Sequence, residues 1–113
     1  MDLKKLYKDA CVLACEMPIY SFLTYCDCFA RHVIAAYGKR YAVGEGEYLA
    51  PCELGSSYAI CDAFYNAALF YVVGTATSNA ELLEKSRTEA ESAYLSLWRE
   101  GAHGKRIKGA MWE

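Results

Sequence analysis

Strong charge of either sign is missing from this chain: twelve lysines and arginines stand against fourteen aspartates and glutamates, for a formal net charge of -2. Bulk nucleic-acid binding is therefore not expected, because it rests on a positive field that neutralises phosphates. Long apolar runs are missing too. No stretch approaches the roughly 18 apolar residues of a membrane span, so no membrane partner is expected. Lys4, Lys5 and Lys8 ahead of Val12-Leu13-Ala14-Cys15 imitate an export leader with a lipoprotein cleavage box. Asp9 interrupts the apolar run, which in a leader extends over about 7 to 15 residues. A reducing cytosol with free thiols is the expectation. Histidine is limited to His32 and His103, no CxxC knuckle occurs, and Gly44-Glu45-Gly46 lacks the strand, helix and Gly-Lys-Ser/Thr context of a phosphate loop.

What is present is apolar and aromatic: 55% of the 113 residues are hydrophobic, with ten tyrosines and six cysteines. That composition excludes disorder and is sized for one domain. The cysteines are Cys11, Cys15, Cys26, Cys28, Cys52 and Cys61. A disulfide framework usually staples small secreted domains short of a core, and this chain has core residues in abundance.

Apolar residues at Leu3, Leu6, Tyr7, Ala10, Leu13, Ala14 and Met17 recur at helical spacing and predict a first helix ending before Pro18. A second stripe runs through Ile19, Phe22, Leu23, Cys26, Phe29, Ala30, Val33 and Tyr37, closed by Gly38. Residues 38–56 hold five glycines and prolines and read as a long central loop, able to form a small β-hairpin around Gly44-Glu45-Gly46. Ser57 to Ala76 is apolar nearly all round and predicts a buried central helix, with Asp62 and Asn66 as its polar strip. Ser78-Asn79-Ala80-Glu81 matches a capping box opening a last helix that stops at Gly101, its outer face carrying a Glu81–Lys85 pair. The expected fold is all-α: a four-helix compact bundle over residues 1–101, the long central loop, and a flexible basic C-terminal tail over 102–113. Residues 81–100 carry five acids against three bases, whereas the tail carries Lys105, Arg106 and Lys108 against one acid.

Chemistry is sparse by comparison. Cys11 with Cys15, and Cys28 with His32, sit one helical turn apart, so two helices would offer four zinc ligands. The competing reading makes them ordinary thiols and an imidazole at the core or a contact, and no metal or other cofactor is assigned. Cys28 beside His32 is also the one helical thiol–imidazole pair, but a mid-helix thiol lacks the setting that activates a nucleophile. Glu45 and Glu47 on a solvated loop need no catalysis to explain them. Tyrosine supplies apolar area with a polar tip, which suits contact surfaces. Tyr41, Tyr48, Lys105, Arg106, Lys108 and Trp112 are the expected interaction residues, and no catalytic residue is assigned.

Tyr58-Ala-Ile-Cys-Asp-Ala-Phe-Tyr-Asn-Ala-Ala-Leu-Phe-Tyr71, followed by Ala80 to Glu100 with Ala90, Ala93, Tyr94 and Trp98, resembles the small neck proteins of phages and prophages. In those head-to-tail connectors a D-x-Y-x-x-A-L-x-Y helix precedes an A-x-x-A-Y helix. The first two helices and Gly38-Lys39-Arg40-Tyr41 fit the group, while the cysteine load and Phe64 beside Tyr65 depart from it. The resemblance implies a non-enzymatic homo-oligomeric ring subunit between portal and tail, located in the host cytoplasm before assembly and in the virion afterwards. The alternative is a small regulatory or inhibitory protein-binding module from a mobile element.

Overall fold

The computed structural model describes residues 1–44 and 46–109, with side chains through residue 100. It is all-α, and no strand occurs among the described residues. Four long helices, α1 (Leu3–Ala14), α2 (Ile19–Tyr37), α4 (Tyr65–Thr77) and α5 (Ala80–Gly109), are joined by a one-turn helix, α3 (Lys39–Ala42), and a 3₁₀ turn at Asp62–Phe64. Helix α4 lies at the centre and packs on α5, α1 and α2. Its apolar surround makes that position the stable one.

Asp2 caps α1, its carboxylate accepting from the Lys4 and Lys5 amides at 2.9 and 3.4 Å. Leu3, Leu6 and Ala10 of the expected stripe are buried. Leu13 is not: α1 ends at Ala14, where Cys15 takes φ +63°, and the chain swings away to leave Leu13 at the surface. Helix α2 follows its predicted bounds, from the residue after Pro18 to a Gly38 at φ +90°, with Phe22, Cys26, Phe29 and Val33 inside.

Several further boundaries differ from expectation. In the central loop, Lys39–Ala42 forms a helical turn where the first strand of a hairpin was expected, because Gly38 interrupts α2 and the helix restarts to bury Ala42. The central helix begins at Tyr65, not Ser57: Tyr58 and Ile60 are buried as alternate residues of an extended segment, and the Cys61 amide donates to the Ala42 carbonyl at 2.9 Å. The α4–α5 turn uses Asn79, not Ser78, as the helix cap. Asn79 Oδ1 accepts from the Glu81 and Leu82 amides at 3.0 and 3.2 Å, while Ser78, at φ +52°, closes α4. A two-residue turn leaves room for one cap, and asparagine serves as well as serine.

That turn brings the helices close. A Cβ on Gly74 would lie 3.1 Å from Leu82 Cβ, so the glycine permits the approach. The buried Ser86 hydroxyl ties the pair further down by donating to the Ala67 carbonyl at 2.7 Å. Helix α5 runs through Gly101, its expected stop, to Gly109, since an interior glycine costs only about 1 kcal/mol. The basic segment therefore begins as helix, and residues 110–113 lie outside the described part. No described helix is long and apolar enough to cross a membrane.

Candidate functional site

Three surfaces arise from this packing. The first is a groove of about 430 Å³ between α2 and α5, floored by Phe29, Val33, Tyr71 and Ala90. His32 and Arg87 stand on its walls. Small residues facing one another, Ala36 on α2 and Ser86 and Ala90 on α5, leave the space. Tyr37, also in its lining, stacks between Phe64 and Tyr94, at ring distances of 6.1 and 4.8 Å.

The second is the elbow between α1 and α2. Val12, Leu13, Ile19 and Tyr20 are all exposed, Val12 to 76% and Tyr20 to 83%. Helical spacing assigns Leu13 and Ile19 to the inner stripes, so periodicity alone does not reveal this patch; the early end of α1 creates it. The third is the central segment, strapped onto α2 from outside. The Tyr58 hydroxyl donates to the Cys26 carbonyl at 2.6 Å, and the Tyr48 hydroxyl to Asp27 Oδ1 at 2.5 Å. Arg31 holds the other oxygen of Asp27 at 2.9 Å.

Of the expected interaction residues, Tyr48 is half-buried in this strap, and Tyr41 sets its ring edge-on to Tyr94 at 5.2 Å. The Lys105, Arg106, Lys108 and Trp112 side chains lie outside the described residues, although the backbone of the first three belongs to α5. Cys11 is half-buried, and Cys15, Cys28 and His32 are exposed. These four do not come together: among the described residues no three His, Cys, Asp or Glu side chains form a metal-holding group. Glu47 lies 3.8 Å from Lys39, and Asp62 sits at the surface in the 3₁₀ turn, off the central helix. On α5 it is Glu84 that pairs with Arg87, while Lys85 lies over the Phe70 ring at 5.8 Å.

The electrostatics are those of settled contacts. Hydrogen bonds from Tyr65 and Lys5 hold the Asp9 carboxyl below its ordinary value, against burial, and tie α1 to α4. Burial pushes the Cys26 thiol far above its ordinary value, and does the same to Cys61 in smaller measure. Burial also raises the Asp27 carboxyl, but the Tyr48 and Arg31 hydrogen bonds and the guanidinium charge outweigh it, so the net direction is downward. Each resolved shift among the described residues moves its group away from neutrality.

A pH dependence follows for Asp27. A carboxyl lowered in the folded state contributes stability that is complete above its unfolded value, near 3.8, and is lost as pH falls through the folded one. Urea unfolding between about pH 6 and pH 2 is expected to show a shallower loss of stability in Asp27→Asn than in the unaltered chain. Equal slopes would mean that the Tyr48–Asp27–Arg31 strap contributes nothing. No family model matches the chain, and neither does a curated protein or a solved structure.

Proposed function

We propose that this chain is a non-enzymatic assembly protein that packs against neighbouring subunits through the elbow of α1 and α2, in the manner of the connector rings it resembles. The observation that carries the reading is the cluster at that elbow, where Val12, Leu13, Ile19 and Tyr20 expose large apolar side chains within nine residues of chain. Apolar patches on a rigid helical corner mark contact surfaces. Two further features support it. Among the described residues no buried side-chain polar atom lacks a hydrogen-bond partner, and every resolved titration shift leads away from the neutral range that acid–base catalysis uses.

The test is assembly itself. Electron microscopy of the concentrated full chain is expected to reveal ring-shaped oligomers, and Val12→Glu with Tyr20→Glu is expected to abolish them while helical circular dichroism stays unchanged. A chain that sediments no larger than a dimer at high concentration overturns the ring. A second reading, a regulatory module that binds a single protein, draws on the groove between α2 and α5. A one-to-one complex sensitive to Leu83→Glu and insensitive to the elbow variants would favour it.

A further inference from the structure

Assembly through the elbow leaves the groove between α2 and α5 unused, although its origin, size and charge together specify an occupant. Helices α2 and α5 both pack on α4 but scarcely on one another, so a gap stands between them with Tyr71 of α4 in its lining. Phe29, Val33, Tyr37 and Tyr71 make that gap apolar and largely aromatic. Left to water, such surfaces forfeit the contacts that a close-packed filler supplies.

The volume of about 430 Å³ falls among those of small-molecule sites, about 300–1,000 Å³. The α2 wall extends from Phe29 to Tyr37 and the α5 wall from Leu83 to Ala90, about 10–12 Å of helix on each side. A partner helix about 10 Å across occupies roughly twice the groove's volume over that length, so a narrower body fits better.

Charge sets the polar end of that body. Apart from the two phenols, the ionisable side chains of the lining are His32 on one wall and Arg87 on the other, and no carboxylate lines the groove. Both walls extend back along the chain from the Tyr37–Tyr94 stack, which sets His32 and Arg87 within about one helical turn of a common level. Arg87 gives Nε and one Nη to Glu84, which borders a different depression beside Phe70. Those bonds, and more weakly the charge of Glu91, raise the guanidinium above its ordinary value, so it stays a cation. Its other Nη keeps two N–H groups outside the pair, and the His32 imidazole adds an N–H donor in either protonation state.

We infer that the groove binds a small aromatic carboxylic acid of about two rings, its body against Phe29 and Tyr71 and its carboxylate at Arg87 and His32. A carboxylate accepts from a guanidinium in a charge-assisted hydrogen bond, whereas a cationic ligand finds no acid in the lining. Phe29 and Tyr71 are tilted at 49° with centroids 5.6 Å apart, and a flat body extends that edge-to-face arrangement. The site is separate from the elbow, so it belongs equally to the single chain and to an assembly.

The probe is 2-naphthoate, with naphthalene-2-carboxamide as its neutral isostere. Titration into the full chain, followed by amide NMR shifts, is expected to saturate with a dissociation constant below about 1 mM and to move resonances of residues 29–37 and 83–90. The carboxamide is expected to bind at least about tenfold more weakly, and Arg87→Gln to bring the acid down to the carboxamide's level. Ala36→Trp, at an exposed position of the α2 wall, is expected to abolish binding of both while helical circular dichroism stays unchanged. Val12→Glu with Tyr20→Glu is expected to leave binding as it is, which separates this site from the elbow contact. Equal affinity for acid and amide, shifts confined to other residues, or no saturation by about 5 mM would each overturn the assignment. Tighter binding of decanoate than of naphthoate would overturn the preference for rings. A one-to-one protein complex blocked by Ala36→Trp, in a chain indifferent to naphthoate, would give the groove to a protein instead.

Discussion

Phe64→Ala is expected to remove about 3–5 kcal/mol of folding stability, among the largest losses expected from any truncation in this chain. Phe64 is fully buried at the end of the 3₁₀ turn, where the chain enters α4 and packs against α5. Its ring stacks on Tyr37, which in turn stacks on Tyr94, so one side chain supports contacts from α2, α4 and α5 together. Truncation to alanine removes the transfer energy of the ring and leaves a cavity that three helices and their backbone hydrogen bonds cannot close. A domain of this size has about 5–15 kcal/mol in total, so the loss is a large fraction of it. Urea unfolding is expected to show a lower midpoint with an unchanged slope, and Phe64→Leu a loss several times smaller. A loss below about 1 kcal/mol would show that the site collapses freely and that the aromatic stack does not hold the bundle.

The resemblance that suggests a connector places Phe64 as a departure, one aromatic too many beside Tyr65. In the fold the two residues are not redundant. Phe64 faces inward, whereas the Tyr65 hydroxyl donates to Asp9 and its ring lies under Lys5 at 4.4 Å, tying α4 to α1. Adjacent residues at the start of a helix point about 100° apart, so each aromatic serves a different neighbour.

Periodicity made the helices legible where a long element presents one face to the core. The α2 stripe and its Gly38 stop follow directly from spacing and backbone freedom. What spacing does not reveal is where elements stop under tertiary contacts. Tyr58 and Ile60 alternate like a strand, but their burial depends on the Cys26 carbonyl and the end of α3, far away in sequence. Read locally, an apolar run of that length continues a helix. The elbow patch was hidden for the same reason: Leu13 and Ile19 have the spacing of core residues, and only the turn at Cys15 removes them from the core. The groove between α2 and α5 needs two helices to be brought together before its small residues face each other. The contrast between an acidic helix and a basic segment was legible from composition, whereas their continuity in a single helix was concealed by Gly101, which reads as a stop.

Tyr58→Ala is expected to cost about 3–5 kcal/mol as well, but to act by releasing a segment rather than by hollowing the centre of the bundle. The ring is 2% exposed and lies edge-on to Tyr48 at 6.4 Å, and its hydroxyl reaches the Cys26 carbonyl on α2. Burial raises that hydroxyl well above the ordinary phenol value, so it remains a donor throughout the neutral range. Tyr58→Phe keeps the ring and loses only the hydrogen bond, an expected cost of about 1 kcal/mol. Without the ring, Tyr48 loses its neighbour, and the hydrogen bond to Asp27 is left to hold an otherwise loosened segment. Hydrogen exchange is therefore expected to accelerate in residues 46–61 of Tyr58→Ala well beyond the change in the α4–α5 hairpin. A double-mutant cycle between Tyr58→Ala and Tyr48→Phe is expected to give a coupling of at least about 0.5 kcal/mol, because the two tyrosines hold the same strap. Additive losses, or exchange that rises equally in every helix, would mean that Tyr58 is simply another core residue. Localised exchange with coupling would mean that the central segment is a separable cover on α2, held by two phenols and one carboxylate.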